Sequence, residues 1–193
     1  MTFLKLKLNT ANSDTQLSIN YSLGCLVIVT ACLLTPLPAL SASICLASSP
    51  LTTPDSRFVD NNDQTISDQE TNLMWARCSV GRTWDGSTCT GAALSLTWKQ
   101  AVEEGPNSTL AGYNDWRLPN VKELSHLIEY SCYDPAINEN IFPSALGVSI
   151  PYWTATPDSL TTTKAWFIKF ISGEIDLDKK DDDYAVRLVR GGL

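Results

Sequence analysis

Three groups of residues in this chain have the side-chain types that bind or transform a ligand. Asp60, Asn62 and Asp63 place oxygens at near-alternate positions in one polar turn, a spacing that suits calcium, whose ligands are carboxylate and carbonyl oxygens. The glycine and the closing glutamate of an EF-hand loop are missing, so a plain turn is the simpler reading. A second group pairs aromatic rings with planar oxygens: Trp84 beside Asp85, the polar turn Asn114-Asp115, Tyr152 with Trp153, and the acidic stretch 176–183. Sugars are held by stacking a C–H face on an aromatic ring and by hydrogen bonds to amides and carboxylates. The competing role of each aromatic is to fill the core, and Trp75, Trp98, Trp116, Trp153 and Trp166 read that way. Trp84 lies between two cysteines and next to an Asp-Gly turn, and reads as surface. The acidic stretch also carries Lys179 and Lys180 and reads as a solvated hairpin tip.

The third group is the cysteines. Cys45, Cys78, Cys89 and Cys132 follow the N-terminal apolar region, and an even number in an exported chain implies two disulfides with three pairings to choose from. The local loop containing Gly81 and Asp85-Gly86 favours Cys78 with Cys89, which leaves Cys45 with Cys132. Zinc is disfavoured, because no Cys-x-x-Cys pair occurs and the single histidine, His126, is remote in sequence. His126 reads as a partly exposed helix residue, since no Ser, Cys or second His accompanies it at a catalytic spacing. No pair of carboxylates stands out as a catalytic acid and base.

The elements that must position these groups alternate between short strands and turns. Arg57-Phe58-Val59, Thr65-Ile66-Ser67 and Leu73-Met74-Trp75-Ala76 are β-prone runs separated by Asn/Asp clusters, the pattern of consecutive hairpins. Apolar residues at 94, 98, 101 and 102 predict a short amphipathic helix over 95–104 that buries Trp98 and ends at Gly105-Pro106. A second helix starts at Asn120, with Glu123 three positions later completing a capping box and Leu124, Leu127 and Ile128 forming one stripe. Arg117, flanked by apolar residues, is expected to pair with a carboxylate or with carbonyls inside the fold. Tyr152-Trp153-Thr154-Ala155, the run 165–170, the run 174–177 and the run 185–190 predict further strands, the last with Val186 and Leu188 on one face and Arg187 and Val189 on the other. Two short helices and an antiparallel set of strands make an α+β domain.

The 193-residue chain fits one domain plus a targeting segment. Lys5 and Lys7 precede an apolar run over 23–34 and a small-residue stretch, so residues 1–43 read as a signal peptide; the run is shorter than the roughly 20 residues of a membrane span. Val29-Thr30-Ala31-Cys32 also looks like a lipoprotein processing box, so membrane contact is expected only through this segment, if it is uncleaved or lipidated. Residues 44–56 form a Ser/Thr/Pro-rich leader and 57–192 the folded domain. Removing residues 1–43 takes Lys5, Lys7 and Asp14 and leaves 12 basic and 20 acidic residues, net −8. Such a charge repels nucleic acid, whose binding depends on neutralising phosphates.

Taken in order, Arg57-Phe58-Val59-Asp60, Thr65-Ile66-Ser67-Asp68, Leu73-Met74-Trp75, Asp115-Trp116-Arg117-Leu118-Pro119-Asn120 with Glu123-Leu124, Pro135-Ala136-Ile137, Tyr152-Trp153-Thr154-Ala155-Thr156, Ala165-Trp166 and Val186-Arg187-Leu188-Val189-Arg190-Gly191 resemble the family named for the C-terminal domain of the Legionella collagen-like adhesin. The resemblance covers about 45–192. It implies a C-type-lectin-like fold, and the Trp-Arg-Leu-Pro segment is also similar to that of formylglycine-generating enzymes. The family's adhesin binds sulphated glycosaminoglycans and trimerises through a collagen-like stalk. This chain departs from the pattern: it has no collagen-like repeat, its acidic charge disfavours a sulphated ligand, and Asn62, Gln64 and Asn72 stand where relatives carry glycine.

The resemblance implies an exported, non-catalytic module, secreted, periplasmic or on the cell surface, that recognises a glycan or a surface ligand with no cofactor, calcium being the one metal to consider. The alternative is an assembly module of the cell envelope with a protein partner. Enzymatic formylglycine formation in its aerobic form needs a reactive cysteine pair holding copper in the C-terminal part of the fold, and no cysteine follows Cys132. The binding candidates are Trp84, Asp85, Asn114, Asp115 and Tyr152.

Overall fold

The polar turns after Arg57 fold into an antiparallel ladder because each carries a residue that turns the chain back on itself. Asn62, Gln64 and Asn72 all take positive φ, at 60°, 75° and 56°, a region that costs most residues energy and glycine little. The computed structural model describes residues 43–143 and 149–191. The signal peptide expected over 1–43, except its last residue, and the lipoprotein box lie outside the described residues.

In chain order the elements are β1 (Ile44–Cys45), β2 (Phe58–Asp60), β3 (Thr65–Asp68), β4 (Leu73–Ala76), β5 (Thr83–Trp84), β6 (Cys89–Thr90), α1 (Trp98–Asn107), α2 (Val121–Ser125), β7 (Cys132–Tyr133), β8 (Tyr152–Pro157), β9 (Lys164–Lys169), β10 (Glu174–Lys179) and β11 (Val189–Gly191). One antiparallel sheet has the order β11-β4-β3-β2 and a second β10-β9-β8, and β1-β7 and β5-β6 are two-stranded ribbons. The domain is α+β, with small antiparallel sheets, two helices and two disulfides. The disulfides are Cys45–Cys132 and Cys78–Cys89, the pairing that the local loop favoured.

The segment 186–189 divides the interior. Val186 and Leu188 pack with Trp116, Leu118, Trp153 and Phe167, while Val189 packs on the other side with Phe58, Trp75, Leu124, Ile128 and Tyr152. This is the expected alternation, although only Val189 and Arg190 of the predicted run, joined by Gly191, are laddered to β4. Arg187 is 1% exposed, donates from Nη1 to the carbonyl of Ala76 at 2.8 Å and to that of Arg77, and lies over the Phe142 ring. Burial pushes its guanidinium below the usual range.

The first helix differs from expectation. It starts at Trp98 and runs through Gly105-Pro106 to Asn107, so Leu94 precedes it and is exposed, and Val102 faces solvent; Ala101 and Gly105 are its buried residues. Trp98 is only half-buried and donates from Nε1 to the carbonyl of Thr154 at 2.8 Å. Gly105 does not end the helix because it serves a contact: a Cβ there would lie 2.5 Å from the Arg117 Cα and 2.7 Å from the Trp116 carbonyl oxygen. The second helix matches its capping box, with Asn120 Oδ1 accepting from the Glu123 N–H at 2.9 Å and Glu123 Oε2 from the Asn120 N–H at 2.8 Å. It is one turn long, and Leu127 and Ile128 are buried by the turn beyond it.

Residues 44–56 are built into the fold. Beyond the Cys45–Cys132 link, Glu129 reaches back to this segment: its carboxylate accepts from the N–H groups of Thr52 (3.0 Å) and Thr53 (2.7 Å) and from both hydroxyls. Among the described residues no helix is long and apolar enough to cross a membrane.

Candidate ligand-binding groove

The capped start of α2 and the tight turn between β3 and β4 face each other across a depression floored by Leu73 and walled by Thr71, Asn120, Lys122, Glu123 and His126. On the other side of His126 lies a second depression, walled by Thr52, Arg57, Glu70, Ser125, Ile128 and Tyr130. The two share His126 and have volumes of about 210 and 270 Å³. Each is smaller than the usual enclosed small-molecule pocket, so the geometry suits a segment of an extended ligand laid across the surface.

Rigid charge pairs frame this groove. Arg57 grips Asp68 through Nε at 2.7 Å and through Nη2, and its Nη1 lies 3.1 Å from Glu70. Asp68 also accepts from the Thr71 hydroxyl at 2.7 Å and from the Glu70 N–H at 3.0 Å, which pins the β3–β4 turn. Burial pushes the Asp68 carboxyl up, but the hydrogen bonds from Arg57 and Thr71 outweigh it and hold the carboxyl below its usual range. Across the groove, Arg117 makes a two-pronged pair with Glu123, at 2.7 and 2.8 Å, and donates to the Gly191 carbonyl at 2.9 Å. This is the internal pairing expected of Arg117. Burial pushes Glu123 up, and the hydrogen bonds from Arg117 and Asn120 bring it below its usual range.

Within this frame three polar side chains stand apart. The Lys122 ammonium, the His126 ring and the Tyr130 hydroxyl make no side-chain hydrogen bond or ion pair with the described residues. Tyr130 is 65% exposed, so its ring face is open for stacking.

The residues nominated from the sequence fall elsewhere and do not converge. Tyr152 is corrected: it is buried, its ring packs edge-on to Phe170 and its hydroxyl lies 2.8 Å from the Ser79 hydroxyl, so it is a core residue. Trp153 is fully buried as well, as expected of the core tryptophans, whereas Trp98 and Trp166 are only half-buried. Trp84 is half-buried and its ring is covered by the Arg77 guanidinium at 3.5 Å. Asp85 accepts from the N–H groups of Ser87 and Thr88, both at 2.8 Å, and so shapes its own turn. Asp115 pairs with Arg190 (Nε to Oδ1, 2.7 Å), a hydrogen bond that lowers its carboxyl; Arg190 in turn covers the Tyr113 ring at 3.7 Å. Asn114 is exposed beside it.

Of the three calcium candidates, Asp60 pairs with Arg77 and accepts from the Asn62 N–H, and Asp63 accepts from the Thr65 N–H at 3.1 Å. Among the described residues no three His, Cys, Asp or Glu side chains come close enough together to hold a metal ion. In the acidic stretch 176–183, Asp178 accepts from the Tyr184 hydroxyl, and Lys180 sits over the Trp98 ring at 4.3 Å and donates to the Thr162 carbonyl.

Strands β3 to β10, both helices, the Arg117–Glu123 staple and the first two residues of β11 belong to the stretch 64–190, which is matched by the family model described as the Lcl C-terminal domain. The chain belongs to the Lcl C-terminal domain family. No curated protein matches the chain. Within this Lcl C-terminal domain the groove draws on residues inside the matched stretch and on Thr52 and Arg57 before it. Tyr130, Lys122 and Glu129 escaped the sequence reading. The one available signal was the polar run Glu129-Tyr130-Ser131 directly after an apolar stripe, and it does not say which of the three faces outward.

Proposed function

We propose that this chain is an exported, adhesin-related binding module that recognises a glycan or cell-surface ligand, without catalysis, along the groove past His126. The observation that carries the reading is the contrast inside that groove. Its carboxylates at Asp68 and Glu123 are committed to arginines, while Lys122, His126 and Tyr130 have no partner among the described residues. A hydrophobic ring with neighbouring donors on a rigid frame is the arrangement that holds a sugar by stacking and hydrogen bonds. Two helices, small antiparallel sheets and a disulfide tying the N-terminal segment to the middle of the chain support a C-type-lectin-like fold. Two disulfides fit export to an oxidising compartment, the periplasm or the cell surface.

The test is a glycan array probed with the exported protein, followed by Tyr130→Ala and Lys122→Ala. Each variant should weaken a bound glycan by about tenfold or more and leave the melting temperature unchanged. Chelator should not alter binding, because Asp60 and Asp63 are engaged by Arg77 and Thr65. A silent array together with capture of an envelope protein would move the reading to an assembly module.

A further inference from the structure

Two arginines of this domain grip a carboxylate side-on, through the parallel N–H groups of Nε and Nη2. Arg57 holds both oxygens of Asp68 in this way and Arg190 both oxygens of Asp115, with Nε to Oδ1 at 2.7 Å in each pair. In Arg187 the same two nitrogens are buried and reach no acceptor among the described residues. Its Nη1 alone is used, on the carbonyls of Ala76 and Arg77. Arg187 is 1% exposed, and a guanidinium keeps its charge inside a protein. The charged side chain that acts on it is Arg82, a second cation.

The surroundings add donors and no counter-charge. Trp75 and Val189 are register partners, so alternation puts Arg77 and Arg187, two residues further along the same ladder, on the face that carries Trp75. On that face the Trp75 indole N–H and Arg77 Nε are also buried without an acceptor. The Tyr152 ring lies 6.0 Å from the Arg187 guanidinium carbon, and its hydroxyl shares a single hydrogen bond with that of Ser79. One of those two O–H protons is therefore left over. Orphaned N–H groups around an unpaired cation are the reverse of a metal site: they call for an anion. Water would satisfy the donors and leave the buried charge uncompensated, which is strongly destabilising.

We propose that the side-on fork of Arg187 holds a small monovalent anion of the halide class inside the domain. The rings of Phe142, at 5.0 Å, and Tyr152 flank the guanidinium, an apolar setting in which a singly charged ion loses less hydration on entry than phosphate or sulphate does. Because the segment 186–189 divides the interior, the ion sits where the two cores meet and stabilises both.

The test is a crystal of the exported wild-type protein grown in sodium bromide, with anomalous diffraction recorded at the bromine edge. An anomalous peak in hydrogen-bonding contact with both Nε and Nη2 of Arg187 is expected. Bromide at surface lysines alone, water at the fork, or a protein oxygen at the fork overturns the proposal. Urea unfolding in sodium chloride and in sodium gluconate, at one ionic strength, gives a readout in solution. Above the dissociation constant, each tenfold rise in chloride should raise the folding constant by about tenfold, because the ion binds the folded chain and not the unfolded one. Equal folding constants in the two salts overturn the proposal as well. Arg187→Lys keeps the charge and loses the fork, so its stability should no longer follow chloride; if that variant does not fold, the bromide map of the wild type still decides.

Discussion

The Glu129 carboxylate accepts from the Thr53 N–H at 2.7 Å and from the Thr53 hydroxyl at 2.9 Å, joining residues 76 positions apart. With Thr52 and the Ser131 N–H at 2.9 Å, one buried anion is held by dipoles, with no cation paired to it among the described residues. Removing it leaves several inward-facing donors unsatisfied, so Glu129→Ala should cost about 2–4 kcal/mol. Urea denaturation measures this, and a loss below about 0.5 kcal/mol would mean that water replaces the carboxylate freely.

Asp68 and Glu129 also set the acid limit of stability. Burial pushes both carboxyls up, but hydrogen bonds outweigh it, from Arg57 and Thr71 at Asp68 and from the Thr52, Thr53 and Ser131 N–H groups at Glu129. A carboxyl whose folded pKa is depressed takes up its proton more readily in the unfolded chain. Its contribution is therefore fully present above the ordinary value of about 4 and is lost as pH falls through the lower folded value. The melting temperature should be nearly level between about pH 8 and 5 and drop below about pH 4. In Asp68→Asn the acid limb should be shallower; a limb parallel to wild type would remove Asp68 from this account.

Gly105→Ala should be among the most damaging small substitutions. Its new methyl would meet backbone atoms of Trp116 and Arg117 that neighbouring strands hold, so relief requires α1 to shift. A loss of about 2–3 kcal/mol is expected, against less than about 0.5 kcal/mol for Val102→Ala on the exposed face of the same helix. Thermal unfolding of the two variants side by side decides it.

Gln64→Gly should stabilise. Gln64 has a φ of 75°, and its backbone carbonyl, which accepts from the Arg77 N–H at 3.0 Å, is unaffected by the change. Relief of the left-handed strain is worth about 1 kcal/mol, of which the greater freedom of glycine in the unfolded chain takes back part. Asn72→Gly should gain less, because asparagine tolerates this region. A lower urea midpoint for Gln64→Gly would contradict the assignment.

What the sequence made legible were features that are local or periodic. The capping box of Asn120 and Glu123 spans three residues, the alternation of Val186, Arg187, Leu188 and Val189 has a period of two, and the loop 78–89 is short enough to suggest its own disulfide. The internal role of Arg117 was also readable, since a cation between buried apolar neighbours needs a partner. What stayed hidden depends on distant partners. Tyr152 looked like a ligand contact because its hydroxyl partner, Ser79, is 73 residues away. Gly105 looked like a helix stop because the Arg117 backbone that it admits is unseen in a linear pattern. Lys122, His126 and Tyr130 form a groove only once the turn at Glu70-Thr71 is set opposite α2.

Both ends of the described domain are fastened to its middle. At the start Cys45 is bonded to Cys132, and at the end Arg190 holds Asp115 while the Gly191 carbonyl receives Arg117. Chain termini are where proteases usually gain a foothold, because they fray first. Within the described residues these ends are held, and the first cut in the domain falls to an internal loop such as that around the exposed Leu160. A domain fastened in this way endures as one piece until an internal loop is breached, instead of being pared back from its described ends.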